Sequence, residues 1–307
     1  MKNVIVTGAN GFVGSAVVKE LIKHNIKVYA IVRNHKDKIT NLTNVEIFSC
    51  ELSKISNLKN ILPDIEYDAF YHFAWEGISG EKRFDIELQL SNIKWSIDTL
   101  KIAKVIGCKK FICAGSMMEY EAIYSTYFEK DCRARMDHIY GSSKINSRII
   151  SMAVSKNIGI DLIYGYITNA YGVSDFSTRL INSTLNKIIH GESPKFTSGT
   201  QNYDFVYIDN VARAFYLIGK NGKPFSSYVI GSSNAKPLKE FLMEIKNLFA
   251  PDLEFIFGGA PFLGIDLPLE MFDTENTEKD TGFKAKVTFE EGVKRTMDWL
   301  IEYYKNN

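Results

Sequence analysis

Short apolar runs alternate with helical stretches through the first half of the chain. Residues 3–7 are apolar at their centre (Val4, Ile5, Val6) and stop at Gly8. Such a run predicts a strand buried on both faces. Residues 12–24 carry a helical spacing, and further strands are expected at 27–32, 45–49, 69–74 and 109–114. The stretch 83–106 places Ile86, Leu88, Leu90, Ile93, Trp95, Ile97, Leu100, Ile102 and Val105 on more than one helical face. A helix apolar nearly all round needs cover on two sides; the sheet supplies one and a partner subunit is expected on the other. A helix at 138–155 and a strand at 160–166 follow.

Beyond residue 170 the rhythm loosens. Helices are expected at 177–190, 209–218, 237–249 and 289–304, with a strand at 204–208. Loop signals gather at 191–200, 221–224 and 257–268, and no repeat or low-complexity linker interrupts the chain. Strands separated by helices imply an α/β fold built on a doubly wound parallel sheet. Residues 1–168 are expected to form the sheet domain, with 201–220 returning to it. Residues 169–200 and 221–307 are then mainly a smaller, interwoven C-terminal lobe.

Composition narrows the function classes. Among 307 residues, 37 basic and 36 acidic side chains leave a net charge of +1. That balance is no footprint for nucleic acid or an acidic membrane surface. No run approaches the ~18 apolar residues of a membrane helix, and the apolar run after Met1 is too short for a signal peptide. A cytoplasmic location is expected. Cys50, Cys108, Cys113 and Cys132 form no CxxC pair and no metal-ligand spacing with histidine, so free thiols and no metal site are expected.

Candidate chemistry begins at Thr7-Gly8-Ala9-Asn10-Gly11-Phe12-Val13-Gly14. Gly8 permits the tight turn, Gly11 lets backbone approach a pyrophosphate, and Gly14 lets helix and strand pack closely. The phosphates then meet the positive end of a helix. Strand, loop and helix stand in the order this motif requires. An acidic residue about 20 positions further on usually holds the adenosine 2′-hydroxyl. Here the second strand ends in Arg33 instead, whose guanidinium suits a 2′-phosphate. NADP(H) is therefore favoured, with NAD(H) the alternative if Arg33 is only a solvated arginine.

Tyr140 and Lys144 lie four residues apart and share one helix face. A phenol is a poor proton-transfer group near neutrality unless its anion is stabilised, which an ammonium beside it does. Tyr216 and Lys220 repeat the spacing, but only Tyr140 is preceded, 24 residues earlier, by a hydroxyl that follows an expected strand, Ser116.

With these residues the chain resembles the extended short-chain dehydrogenase/reductases, and more narrowly the NAD-dependent epimerase/dehydratase group acting on nucleotide sugars. The matching motifs are the Thr7–Gly14 loop, Ser116, Tyr140-Gly141-Ser142-Ser143-Lys144 and Asn169-Ala170-Tyr171-Gly172. Residues 203–212, Thr281-Gly282-Phe283 and Phe289-Glu290-Glu291-Gly292 extend the resemblance over nearly the whole chain. It implies a Rossmann domain in which Tyr140 exchanges a proton with a substrate oxygen. Lys144 binds the nicotinamide ribose and lowers the Tyr140 pKa, while Ser116 hydrogen-bonds the same oxygen. Phe73, Ala74 and Trp75 line the cofactor, Glu51 and Leu52 flank the adenine, and Asn92 matches a structural asparagine. Asn169 matches a residue near the substrate phosphates. A homodimer through a four-helix bundle of the 83–106 and 138–155 helices is also implied.

The departures narrow the reaction. Dehydratases of the group carry Asp-Glu after the hydroxyl residue, where this chain has Met117-Met118, and a thioether transfers no proton. Glu119 comes one place late. A related epimerase-reductase has cysteine at the position of Met118. Two readings remain: a reductase of a keto-sugar nucleotide, favoured by Arg33, and a 4-epimerase that retains NAD. Keeping Ser116, Tyr140 and Lys144 together argues against a cofactor-sensing regulator without turnover. Tyr203 stands where the family usually has a diphosphate-clamping arginine, and Arg179 is the candidate replacement, ahead of Lys187 and Arg213. A substrate without a nucleotide stays open on that account.

Overall fold

A computed structural model describes residues 1–34, 37–128, 135–262 and 264–306. Cys132 lies outside them, while Cys50, Cys108 and Cys113 are free thiols. Strands β1 (Asn3–Thr7), β2 (Lys27–Val32), β3 (Val45–Ser49), β4 (Ala69–His72), β5 (Lys110–Ser116) and β6 (Asp161–Ile167) follow the predicted rhythm. Further along come β7 (Asn169–Tyr171), β8 (Asn202–Tyr203), β9 (Phe205–Tyr207), β10 (Ser227–Ile230) and β11 (Lys236–Pro237). The helices are α1 (Phe12–Lys23), α2 (Leu58–Ile61), α3 (Ile86–Ile106), α4 (Met117–Tyr127) and α5 (Asp137–Ile158). They continue as α6 (Leu180–Ile189), α7 (Ile208–Asn221), α8 (Leu238–Phe249), α9 (Glu275–Thr281) and α10 (Phe289–Asn306).

The main sheet has seven strands in the order β10-β6-β5-β4-β1-β2-β3, all parallel. Side chains alternate across it with period two. Val4, Val6, Val28 and Ala30 face one core with Phe215 and Ile218 of α7. Ile5, Tyr29 and Ile31 face the other with Leu100 and Ala103 of α3. Strand order reverses between β1 and β4, which opens a crevice at the carboxyl ends of the strands.

Several elements differ from the periodicity. The strand expected at 204–208 is β9, which pairs with β7 in a sheet of two strands; β8 pairs with β11 in another. Neither joins the main sheet, whereas α7, which follows, packs against α1 and β6. β10, in a stretch read as C-terminal lobe, forms the outer edge of the main sheet beside β6. Strands of two to four residues are too short to carry a readable period, so their partners are chosen by tertiary packing. α3 begins three residues later than the expected helix, because the Asp85 carboxylate caps it by accepting the Leu88 amide at 3.0 Å. α6 likewise starts after a turn in which the Asp175 carboxylate accepts the Ser177 amide at 3.0 Å.

α3 and α5 pack side by side over one face of the sheet. Their outward faces leave Ile86 56%, Leu90 53% and Ile149 56% exposed. A shallow groove of about 830 Å³ runs between them, lined by Leu90, Ile93, Ile97, Ile139 and Ile150 among others. No helix among the described residues is long and apolar enough to cross a membrane.

Candidate active site

The glycine loop builds the floor of the crevice. Gly8 has φ +68°, and a Cβ there would lie 2.7 Å from the Ala74 amide nitrogen. A Cβ on Gly14 would lie 2.1 Å from the Gly8 carbonyl oxygen. Only hydrogen at both places lets α1, the loop and the end of β4 close together. The amides of Phe12, Val13 and Gly14 open α1 and, as at any helix start, have no partner within the helix. This cradle has the form and polarity that a dinucleotide pyrophosphate requires.

Neighbouring side chains brace the loop. Asn10 donates to Asp37 at 3.0 Å and accepts the Lys38 amide at 2.9 Å. Phe12 lies under the Arg179 guanidinium, 5.8 Å from the ring centre, while Val13 packs toward the core. Arg33 reaches from the end of β2 to Glu76 beyond β4, at 3.0 Å, so the pair bridges the two strands that flank β1. Asn92 uses both ends of its amide on the Glu76 backbone, at 2.9 and 2.8 Å. It holds the loop rather than reaching into the crevice. Phe73 turns edge-on to Phe215, 4.8 Å between centres, and so packs on the core. Glu51 pairs with Lys54 at 3.4 Å, and Leu52 is buried.

Ser116 ends β5 and caps α4. Its hydroxyl accepts the Met118 amide at 3.3 Å. Its own amide donates to Glu119 Oε1 at 3.0 Å, completing a reciprocal capping box. Tyr140 lies opposite on α5 and is buried. What brings α5 so close to α4 is Gly141, where a Cβ would meet the Met118 carbonyl oxygen at 2.6 Å. One turn on, Lys144 Nζ donates to the Ala114 carbonyl at 3.3 Å and lies 3.9 Å above the Trp75 ring centre. Trp75 is itself fixed by its indole N–H, which donates to Gln89 Oε1 at 2.8 Å.

Burial dominates the protonation equilibria. It pushes Tyr140 up to about 12, and the positive charge of Arg83, the Ser116 hydroxyl and Arg179 pull against it. It pushes Lys144 down to about 8, with Glu119 the strongest opposing charge. The strongest pull on the phenol comes from Arg83 rather than from Lys144. Its ammonium lies 6.0 Å from the Tyr140 ring centre, on the Trp75 side, while the Arg83 guanidinium lies 4.9 Å from that centre. His72 is neutral, pushed down to about 3 by burial, and ties β4 to Thr7 at 2.8 Å and to Ser96 at 3.2 Å.

The expected substrate residues separate. Arg179 is half-exposed, pairs with Asp175 at 3.6 Å and acts on Tyr140 electrostatically. Asn169 turns its amide to the Asp204 carbonyl at 3.2 Å. Tyr203 stacks on Phe205 at 5.5 Å and is pushed up to about 12 by burial. A cavity of about 620 Å³ between α6 and α10 contains none of Ser116, Tyr140 or Lys144. Among the described residues no His, Cys, Asp and Glu cluster is arranged for a metal.

A family model described as NAD dependent epimerase/dehydratase family matches residues 4–231. The chain belongs to this family. It is an enzyme of the extended short-chain dehydrogenase/reductase type. A dTDP-glucose 4,6-dehydratase of Haemophilus influenzae is 24% identical, the match covering 98% of each chain. A trifunctional UDP-glucose 4,6-dehydratase/UDP-4-keto-6-deoxy-D-glucose 3,5-epimerase/UDP-4-keto-L-rhamnose-reductase of Arabidopsis thaliana is also 24% identical. That match covers 98% of this chain but only 47% of the plant protein, so the chain spans about half its length. Among solved structures, a UDP-N-acetylglucosamine 4-epimerase from Methanobrevibacter ruminantium superposes with a TM-score of 0.81 at 23% identity. It covers 98% of this chain and 99% of that one. The Bordetella bronchiseptica enzyme WbmF in complex with NADH gives 0.80 at 20% identity, covering 99% and 93%.

Within this family site, Glu76 and Arg83 escaped the sequence reading, and Glu119 was read only as one place late: Glu76 faces Arg33, Arg83 faces Tyr140, and Glu119 is buried against Ser116. Only Glu119 had a readable signal, the S-x-x-E spacing of a capping box. The other two depend on loop paths that no periodicity encodes.

Proposed function

We propose that this enzyme reduces a keto-sugar nucleotide of the 4-keto-6-deoxy type, with NADPH as the favoured reductant. The observation that carries the reading is the juxtaposition of Ser116, Tyr140 and Lys144 beside the Gly8–Gly14 cradle. A bound nicotinamide supplies the hydride. Tyr140 delivers the proton to the new alkoxide oxygen, and Ser116 orients that oxygen by hydrogen bonding. Lys144 holds the cofactor ribose with its ammonium. Desolvation by Trp75 and the walls of α4 and α5 strengthens each of these interactions.

Water elimination is disfavoured by the same geometry. Met117 is buried against Leu267 and Phe272, and Met118 offers only a thioether. Glu119 is 1% exposed and spends one oxygen on Ser116. Among the described residues no carboxyl pair therefore stands beside Ser116 for that chemistry. Arg179 is proposed to take the substrate phosphates, with Asn169 and Tyr203 as further candidate substrate contacts.

One observation favours a second reading. The Glu76 carboxylate beside Arg33 neutralises the guanidinium and repels a 2′-phosphate, which suits NAD and a 4-epimerase that retains it. We also propose a homodimer through the exposed apolar faces of α3 and α5.

The deciding experiment follows nicotinamide absorbance when the protein meets a panel of 4-keto-6-deoxy sugar nucleotides with NADPH or NADH. Consumption of NADPH with one of them is expected. Tyr140→Phe should lower the rate by about 10²–10⁴-fold while cofactor binding persists. Tightly held, unexchanged NAD with no net consumption would overturn the reductase reading in favour of the epimerase.

A further inference from the structure

A buried carboxylate behind the candidate catalytic residues has no part in the reaction as written. Glu119 is 1% exposed, in a chain whose other acids of the main sheet domain lie largely at the surface. Burial pushes the Glu119 carboxyl up, and Lys144, the Ser116 amide and Arg148 pull against it; a buried charge persists only where such partners compensate its lost hydration. Its Oε1 accepts the Ser116 amide at 3.0 Å. Its Oε2 has no hydrogen-bond partner and lies 3.6 Å from Arg148 Nε, which has none either. The room for this carboxylate is created by a neighbour. A Cβ on Gly115 would lie 3.0 Å from Glu119 Oε1 and 2.7 Å from the Tyr166 ring. The slot is therefore shaped to admit a charged group directly behind Ser116.

The charges around that slot come from four elements. Tyr140, Lys144 and Arg148 face it from α5, Cys113 from β5, Tyr164 and Tyr166 from β6, and Tyr120 from α4 itself. His72 of β4 faces Lys144 from the other side and is neutral. Lys144 is half-buried and donates to the Ala114 carbonyl at 3.3 Å, two residues along β5 from the Ser116 amide that Glu119 holds at 3.0 Å, and Glu119 is the strongest charge favouring its ammonium form.

We propose that Glu119 is a positioning residue. One oxygen fixes the Ser116 backbone, and the carboxylate charge holds Lys144 as an ammonium ready for the cofactor ribose. The proposal rests on the reading of Lys144 as a cofactor-binding residue. A second consequence follows for Tyr140, because the same carboxylate disfavours the phenolate. Glu119 thus keeps both groups protonated, which is the state a ketone reduction starts from.

The test removes the charge and keeps the shape. In Glu119→Gln the side-chain carbonyl still accepts the Ser116 amide. Two quantities are read against pH: thermal stability of the protein without cofactor, and the dissociation constant for NADPH and NADH. Losing an opposite charge at this range moves a pKa by about 1–3 units. The pH at which stability begins to rise through Lys144 deprotonation should fall by at least about one unit, and the alkaline limb of cofactor affinity should fall with it. For a midpoint that falls by about one pH unit the dissociation constant should rise about twofold at about pH 7 and about tenfold well above both midpoints. Unchanged midpoints in folded Glu119→Gln would overturn the proposal. Should that variant not fold, Glu119→Asp keeps the charge but withdraws it from β5, so both midpoints should fall by a smaller amount; no movement overturns the proposal. Failure of the reaction reading is distinguishable, because Tyr140→Phe would then turn over normally while the midpoints without cofactor still report on Glu119 and Lys144.

Discussion

Replacing Gly141 with alanine tests the claim that helix proximity sets the active geometry. Gly141 follows Tyr140 on α5, and its added Cβ would stand 2.6 Å from the Met118 carbonyl oxygen and 3.0 Å from Ala122 Cβ. The backbone at Gly141 is ordinary helix, so alanine brings no conformational penalty and even a small gain in helix propensity. The whole effect is steric. Restoring an ordinary contact of 3.4 Å requires α4 and α5 to part by about 0.8 Å. Overpacking of this kind costs about 1–3 kcal/mol. In a chain of this size each kcal/mol lowers Tm by about 2 °C, so a fall of about 2–6 °C is expected. The functional cost is larger. Ser116 caps α4 and Tyr140 lies on α5, so the parting separates the two groups that share one substrate oxygen. A misplacement near 1 Å costs on the order of 10²-fold. We therefore expect kcat to fall by about 10–100-fold with a smaller change in the cofactor dissociation constant, since the Gly8–Gly14 cradle belongs to the β1–α1 turn and not to α4 or α5. Steady-state kinetics, cofactor titration and thermal unfolding measure the three quantities. A folded Gly141→Ala protein with wild-type kcat and Tm would refute the argument.

Other outcomes follow from the same structure. Burial holds Lys144 at about 8, below its unfolded value, so the unfolded chain binds more protons above that pH and stability should rise from about pH 8 toward 10. Tyr140, held at about 12, has the opposite sign and takes stability away above about pH 10; Lys144→Met should abolish the rise and leave the fall. Arg33→Ala should lower NADPH affinity more than NADH affinity if the guanidinium reads a 2′-phosphate, and Glu76→Gln should raise the NADPH/NADH preference; unchanged ratios in both would remove the ribose-site argument. Leu90→Glu places a charge on the exposed apolar face of α3; if the proposed dimer forms there, sedimentation should show the parent chain as a dimer and this variant as a monomer, and a monomeric parent would remove the proposal.

Much of the architecture was legible because its signals are local. β1 to β6 are runs of four to seven residues bounded by turn formers, and each predicts its own strand without knowledge of a partner. The cradle was legible because Gly8 and Gly14 are needed by backbone geometry within one turn. The Tyr140 and Lys144 pair was legible because four residues of helix bring two side chains to one face. β7 to β11 were hard to read because each spans only two to four residues and gains its identity from a distant partner. α4 was missed although its capping box, Ser116 and Glu119, is written in the sequence.

What the sequence by itself determined was the order of the first six strands, the long helices α1, α3 and α5, the glycine cradle and the identity of the hydroxyl, phenol and ammonium groups. These depend on the spacing of side chains along one element. Tertiary structure alone decided which charges meet. Arg33 meets Glu76 from the far side of β1, Arg83 rather than Lys144 lies nearest the Tyr140 phenol ring, and Glu119 is enclosed between α4, α5 and β6. Such pairings join residues separated by tens of positions. Their energies come from desolvation and close approach, which exist only once the layers have packed.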